Sequence, residues 1–175
     1  MQFSIIGTWL IEGRSPYTKL PVTETCRIVK PGQGAWYYFD GRIRSIYTPS
    51  HLISYQVGKT YAIQPGRGQK AIGLTPPIES IRRQDVREMT REDAIARGFH
   101  CANDYIVVWA RMHDPELGLY QDTDMIFRYY PDRRGKKQSC YHPQLHDVLM
   151  ARPAERYDAW VLRFAASGDN EQGRG

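Results

Sequence analysis

No apolar run in the 175 residues approaches the ~20 needed to cross a bilayer, so a membrane-spanning helix is excluded by length. The first residues hold no basic stretch followed by an apolar core, and no signal peptide is expected. Cysteine is scarce. Cys26, Cys101 and Cys140 are odd in number and far apart, which gives no disulfide framework and points to a reducing, cytoplasmic setting. No Cys-x-x-Cys pair accompanies His100, Cys101, Cys140, His142 or His146, so the spacing of a zinc site is missing and no metal is expected. Gly58-Lys59-Thr60 resembles the end of a phosphate loop, but Ile53 stands where the leading glycine is required. There is no Gly-x-Ser-x-Gly elbow and no Ser/His/Asp set in a familiar order. No repeat recurs at a solenoid period. None of these features calls for a cofactor.

What is present fits one soluble domain: 41% apolar and 25% charged residues, in a chain long enough to bury a core. The domain is expected to span 1–164, with an insertion near 114–156. The polar, glycine-rich 165–175 reads as a flexible tail. Aromatics reach 12%, with 12 Tyr and 4 Trp, and suit strands and stacking surfaces. A net charge of +5 favours a polyanionic partner through attraction to phosphate.

Local patterns supply the elements. Residues 3–11 read as a strand or short apolar element, with Trp9, Leu10 and Ile11 in the core. Residues 22–30 are β-branched and alternating, which predicts a strand with Thr23, Thr25 and Arg27 on one face and Glu24 and Cys26 on the other. Asp40-Gly41 between two strand-like runs predicts a hairpin. Residues 58–64 begin as a strand, and Pro65, Gly66, Arg67 and Gly68 end it as a turn that presents a guanidinium between two glycines. Short strands follow over 71–74 and 78–83. Thr90-Arg91-Glu92-Asp93 has the form of a capping box, and the helix it starts ends before Gly98, a good left-handed cap. A second helix is expected over 103–112, a strand over 125–130, a third helix over 143–150 and a closing strand over 157–164. Many short strands with few helices argue for a small mixed β-barrel and against alternating βα architectures.

Gly58 to Gly68, Ile81 to Thr90, Asp93-Ala94, Gly98-Phe99, Trp109 and Trp160 to Phe164 follow one another in an order that resembles the ASCH domain family. The segment from Thr23 to Pro31 resembles that family's first pocket segment. The resemblance covers most of 20–113 and 157–164. It implies an α+β fold: a small PUA-like mixed β-barrel with flanking short helices, whose cleft takes RNA or a modified nucleobase. On this reading Thr23, Thr25, Arg27, Gln64, Gly66, Arg67, Gly68 and Arg97 line the cleft. Thr25 and Gln64 read base edges, Arg27 and Arg67 contact phosphate, and Arg97 adds positive charge.

Some small members of the family are amidohydrolases on acylated cytidine, using a Lys, a Thr and a Glu. Here the Thr is kept as Thr25, while the Lys and Glu positions fall on Val22 and Arg97. Val cannot move a proton and Arg is a poor base. The expectation is therefore nucleic-acid or nucleotide binding, RNA foremost. The alternative is a hydrolase, amidohydrolase or ribonuclease, in which Lys19 folds inward to serve Thr25. Glu12, Glu24 and Glu79 are carboxylates that nothing in the sequence pairs. The run Arg133-Arg134-Gly135-Lys136-Lys137, among Tyr129, Tyr130 and Tyr141, is a further basic and aromatic segment suited to single strands. A third expectation is a protein partner docked on 114–156.

Overall fold

The computed structural model describes residues 9–10, 12–64, 68–117 and 143–165. Ile11, the 125–130 strand, the 133–137 basic run, Pro65, Gly66, Arg67 and the 166–175 part of the tail lie outside them. Eight strands run in chain order: β1 (Glu24–Ile28), β2 (Gly34–Tyr37), β3 (Ile43–Tyr47), β4 (Ile53–Gln56), β5 (Ala62–Ile63), β6 (Gly73–Leu74), β7 (Ile78–Asp85) and β8 (Asp158–Phe164). The helices are α1 (Arg91–Ala96), α2 (Ala102–His113) and α3 (Pro143–Met150). Residues 9, 10 and 12 are helical, and Trp9 and Leu10 are buried as expected.

The fold is mixed α+β with antiparallel pairing throughout the described strands. The pairing falls into three sheets, in the orders β1-β8-β7, β2-β3-β4 and β5-β6. Among the described residues these sheets do not close into one barrel. β3 runs beside β7 without a hydrogen-bonded ladder between them.

The closing strand is central in its sheet. β8 sits between β1 and β7, and Trp160, Val161, Leu162 and Phe164 are all buried. It reads as a nearly continuous apolar run because both of its faces are covered. Register sorts the side chains into two faces. Thr25 lies opposite Leu162, and Arg27 opposite Trp160, which in turn faces Arg83. Cys26 lies opposite Val161, which faces Arg82. Since side chains alternate, Thr25 and Arg27 point one way, and Glu24, Cys26, Arg82 and Gln84 the other.

The helices cover the Glu24 and Cys26 face. The capping box forms in full at α1: Thr90 Oγ1 accepts from the Asp93 amide at 3.1 Å, and Asp93 Oδ2 accepts from the Thr90 amide at 3.0 Å. Gly98 ends the turn at φ +94°, and a β-carbon there would come within 2.7 Å of the Trp9 ring. Both backbone angle and packing therefore require glycine. The Ser15 hydroxyl, fully buried, donates to the Gly98 carbonyl at 2.6 Å and ties the N-terminal loop to this corner. On α2, Tyr105, Ile106, Trp109 and Ala110 form the buried stripe, and Trp109 Nε1 donates to the Arg156 carbonyl at 2.8 Å.

The opposite face of the sheet meets β2-β3-β4. Ile46 of β3 is fully buried, and the Arg27 guanidinium hydrogen-bonds the Tyr55 hydroxyl of β4.

Asp114 follows α2 directly. Its buried carboxylate accepts from Arg152 at 2.7 and 2.8 Å, from Arg156 at 2.6 Å and from the Tyr157 hydroxyl at 2.8 Å. This clamp joins the two ends of the chain that flank 118–142. The Arg152 hydrogen bonds hold the carboxyl of Asp114 far below the usual carboxylate range.

Candidate functional site

Two places gather chemistry. The first is a closed ring of polar side chains between the sheet and α1. Arg82 donates to Glu24 through both nitrogens, at 2.7 and 3.1 Å, and to Asp93 at 3.1 Å. Gln84 Nε2 donates to Asp93 at 2.8 Å, and Gln84 Oε1 accepts from Arg97 at 2.6 Å. Arg97 Nε lies 3.6 Å from Glu24, an ion pair without a hydrogen bond, and closes the circuit by charge alone. Arg97 has no solvent exposure, and its guanidinium carbon sits 5.1 Å from the centre of the Tyr105 ring.

A cation so enclosed has its carboxylate, amide and ring partners around it, as burial of charge demands. Burial raises the pKa of the Cys26 thiol and the Tyr105 hydroxyl beside it, so both are protonated at neutral pH. Burial also pushes Asp93 up, but hydrogen bonds from the Thr90 amide and Gln84, with the charges of Arg97 and Arg82, more than reverse this.

The second place is an open cleft of about 420 Å³ where β3 and β7 run side by side. The β2–β3 hairpin supplies Tyr37, Tyr38 and Arg42, and β7 supplies Glu79, Arg82 and Arg83. The hairpin is built locally. Gly41 adopts φ +85°, its amide donates to the Tyr38 carbonyl at 3.0 Å, and the Tyr38 amide donates to the Arg42 carbonyl at 2.8 Å. The Asp40 carboxylate accepts from the Arg42 amide at 3.0 Å, the leading reason its pKa is lowered. A bulge between Trp36 and Tyr37 re-aims the strand end.

Trp36 turns toward Tyr47, with ring centres 5.8 Å apart, while Tyr37 stays on the cleft wall, 63% exposed. Phe39 stands fully exposed at the tip. A row of aromatic rings beside arginines can stack bases and meet phosphates.

Among the described residues, Thr25 and Arg97 of the expected cleft set fall on opposite faces of the β1-β8-β7 sheet. Thr25 is buried and points to the face opposite the one that receives Arg97. Thr23 is half-buried, and its amide donates to the Ala96 carbonyl at 2.8 Å. Arg27 shares Thr25's face and reaches Tyr55. Arg97, expected to add charge to an open cleft, lies inside the polar ring, because Glu24 and Gln84 lie on the same covered face.

Lys19 is exposed in the N-terminal loop at φ +61°. Gln64 is half-buried at the end of β5, and Gly68 sits in an open turn at φ +75°. Gly66 and Arg67 lie outside the described residues.

The cleft residues were missed for a clear reason. Trp36-Tyr37-Tyr38-Phe39 has no polar alternation to say which ring faces out. The signal was there nonetheless: a short two-sided hairpin cannot bury four consecutive aromatics. Comparison of this chain with family models, with curated proteins and with solved structures gives no match.

Proposed function

We propose that the protein is an RNA- or nucleotide-binding module of PUA-like type, with the hairpin–β7 cleft as its ligand site. The observation that carries this reading is the exposed ring of Tyr37 on a cleft wall shared with Arg42 and Arg83. A net charge of +5 supports attraction to a polyanion.

The hydrolase alternative draws no support from Thr25 and Arg97, which lie on opposite faces of the sheet, or from the exposed Lys19, and the acids of the polar ring are engaged by Arg82, Gln84 and the Thr90 amide. Fluorescence anisotropy with a labelled RNA of about 12 nucleotides tests the reading, a length matching common single-strand site sizes. Saturable binding that weakens in Tyr37→Ala is expected. No binding at any reachable concentration overturns it.

A further inference from the structure

The cleft combines cations that are already engaged with one mostly exposed ring, Tyr37, and the wholly exposed Phe39 stands at the hairpin tip beside it. Arg83 is held by Asp158, with Nε 2.9 Å from Oδ1. Arg82 is committed to Glu24 and Asp93. Arg42 Nε sits 2.6 Å from Asp40, and its guanidinium covers the Tyr38 ring at 5.5 Å. Glu79 adds a carboxylate to the same lining. An incoming phosphate must compete with a carboxylate for each of these three guanidiniums, and gains little net charge attraction. Tyr37 and Phe39, by contrast, each offer apolar ring surface to solvent.

From this imbalance we infer that the cleft selects unpaired nucleobases of a single strand, with base stacking rather than phosphate contact as the main source of affinity. This rests on the nucleic-acid reading above and names its ligand class. Duplexes hide the faces of their bases and leave mainly phosphates to contact, so they bind weakly here. Stacking is worth roughly 5- to 150-fold in affinity per base. A strand meeting only one or two phosphates has a shallow salt dependence, with a log–log slope of about −0.7 to −1.4.

Three probes test this on the full chain: a single-stranded RNA of about 12 nucleotides, an abasic strand of the same phosphate count, and the matching duplex, which carries twice the phosphates and would bind tighter if phosphate contact dominated. The single strand is expected to bind at least about tenfold tighter than either of the others. Tyr37→Ala and Phe39→Ala should each weaken it by about fivefold or more. Arg42→Gln should have the smaller effect, and Trp36→Ala, on the Tyr47 side of the hairpin, should have none.

Duplex or abasic binding within about twofold of the single strand, or a salt slope steeper than about −3, overturns the stacking inference and leaves the nucleic-acid reading standing. Failure of all three probes to bind removes both. Circular dichroism of each variant separates lost binding from lost folding.

Discussion

The β1-β8-β7 sheet and the β2–β3 hairpin distribute polarity in opposite ways. In the sheet, charge is inside: Glu24, Asp93 and Arg97 form a ring under α1, and Arg97 is fully enclosed. In the hairpin, aromatic surface is outside: Tyr37 is mostly exposed and Phe39 wholly so. Buried charge needs partners, and Glu24, Gln84 and the Tyr105 ring supply those of Arg97, so the ring ties α1 to the sheet. Exposed rings contribute little to the fold. The difference separates a region whose polar groups hold the structure from one whose apolar groups remain available to a ligand.

Substitutions can break that contrast. The largest effect is expected from Arg97→Ala, which removes a partner from Glu24 and Gln84 and opens a hole beside Tyr105. A loss of about 3 kcal/mol in urea unfolding is expected, the low end for a broken buried pair because Arg82 still holds Glu24. A loss below ~1 kcal/mol would mean that the ring does not hold α1 in place.

Asp114→Asn comes next, at about 2 kcal/mol, since the amide keeps part of the hydrogen bonding but no charge for the arginines. Its pH dependence has a definite sign. Asp114 and Asp93 both have lowered pKa values in the folded state. The stability they contribute is complete above the ordinary Asp value of about 3.9 and is lost as the pH falls below it. Urea midpoints measured from pH 6 to 3 should fall steeply in the parent chain and less steeply in Asp114→Asn. Equal slopes would refute the linkage.

Thr90→Ala should cost about 1 kcal/mol, the usual loss for a helix cap. Its companion Asp93→Ala should cost clearly more, because Asp93 also accepts from Arg82 and Gln84. Equal losses would show that only the cap matters. The smallest stability effect is expected on the other side of the comparison. Phe39→Ala should shift unfolding by less than about 0.5 kcal/mol, as a surface change away from the core does. A large loss there would mean that Phe39 is covered in solution, and the cleft would need another ligand face.

Short-range chemistry was legible. Thr90 and Asp93 are three residues apart, and the capping box follows from that spacing. Asp40-Gly41 turns the hairpin, and Gly98 ends α1. α2 over Ala102–His113 and α3 over Pro143–Met150 agree with the helices expected at 103–112 and 143–150. β4 went unanticipated behind Thr48-Pro49-Ser50, although Ile53 and Tyr55 alternate with polar neighbours.

The polar ring was not legible, because its members come from β1, β7 and α1, and their meeting depends on β8 entering between two distant strands. Nor was the fate of Arg97. An arginine before Gly-Phe carries no mark of burial. Its position follows from Glu24 lying on the covered face of β1.

By itself the sequence determined the elements whose cause lies within a few residues: the cap, the turns, the alternation of β1 and the apolar run of β8. Backbone angles and side-chain reach act at that range, so nearby residues suffice. The tertiary structure alone decided which charges are enclosed and which rings are left in water. Those outcomes depend on strand order and register, which join residues far apart in the chain.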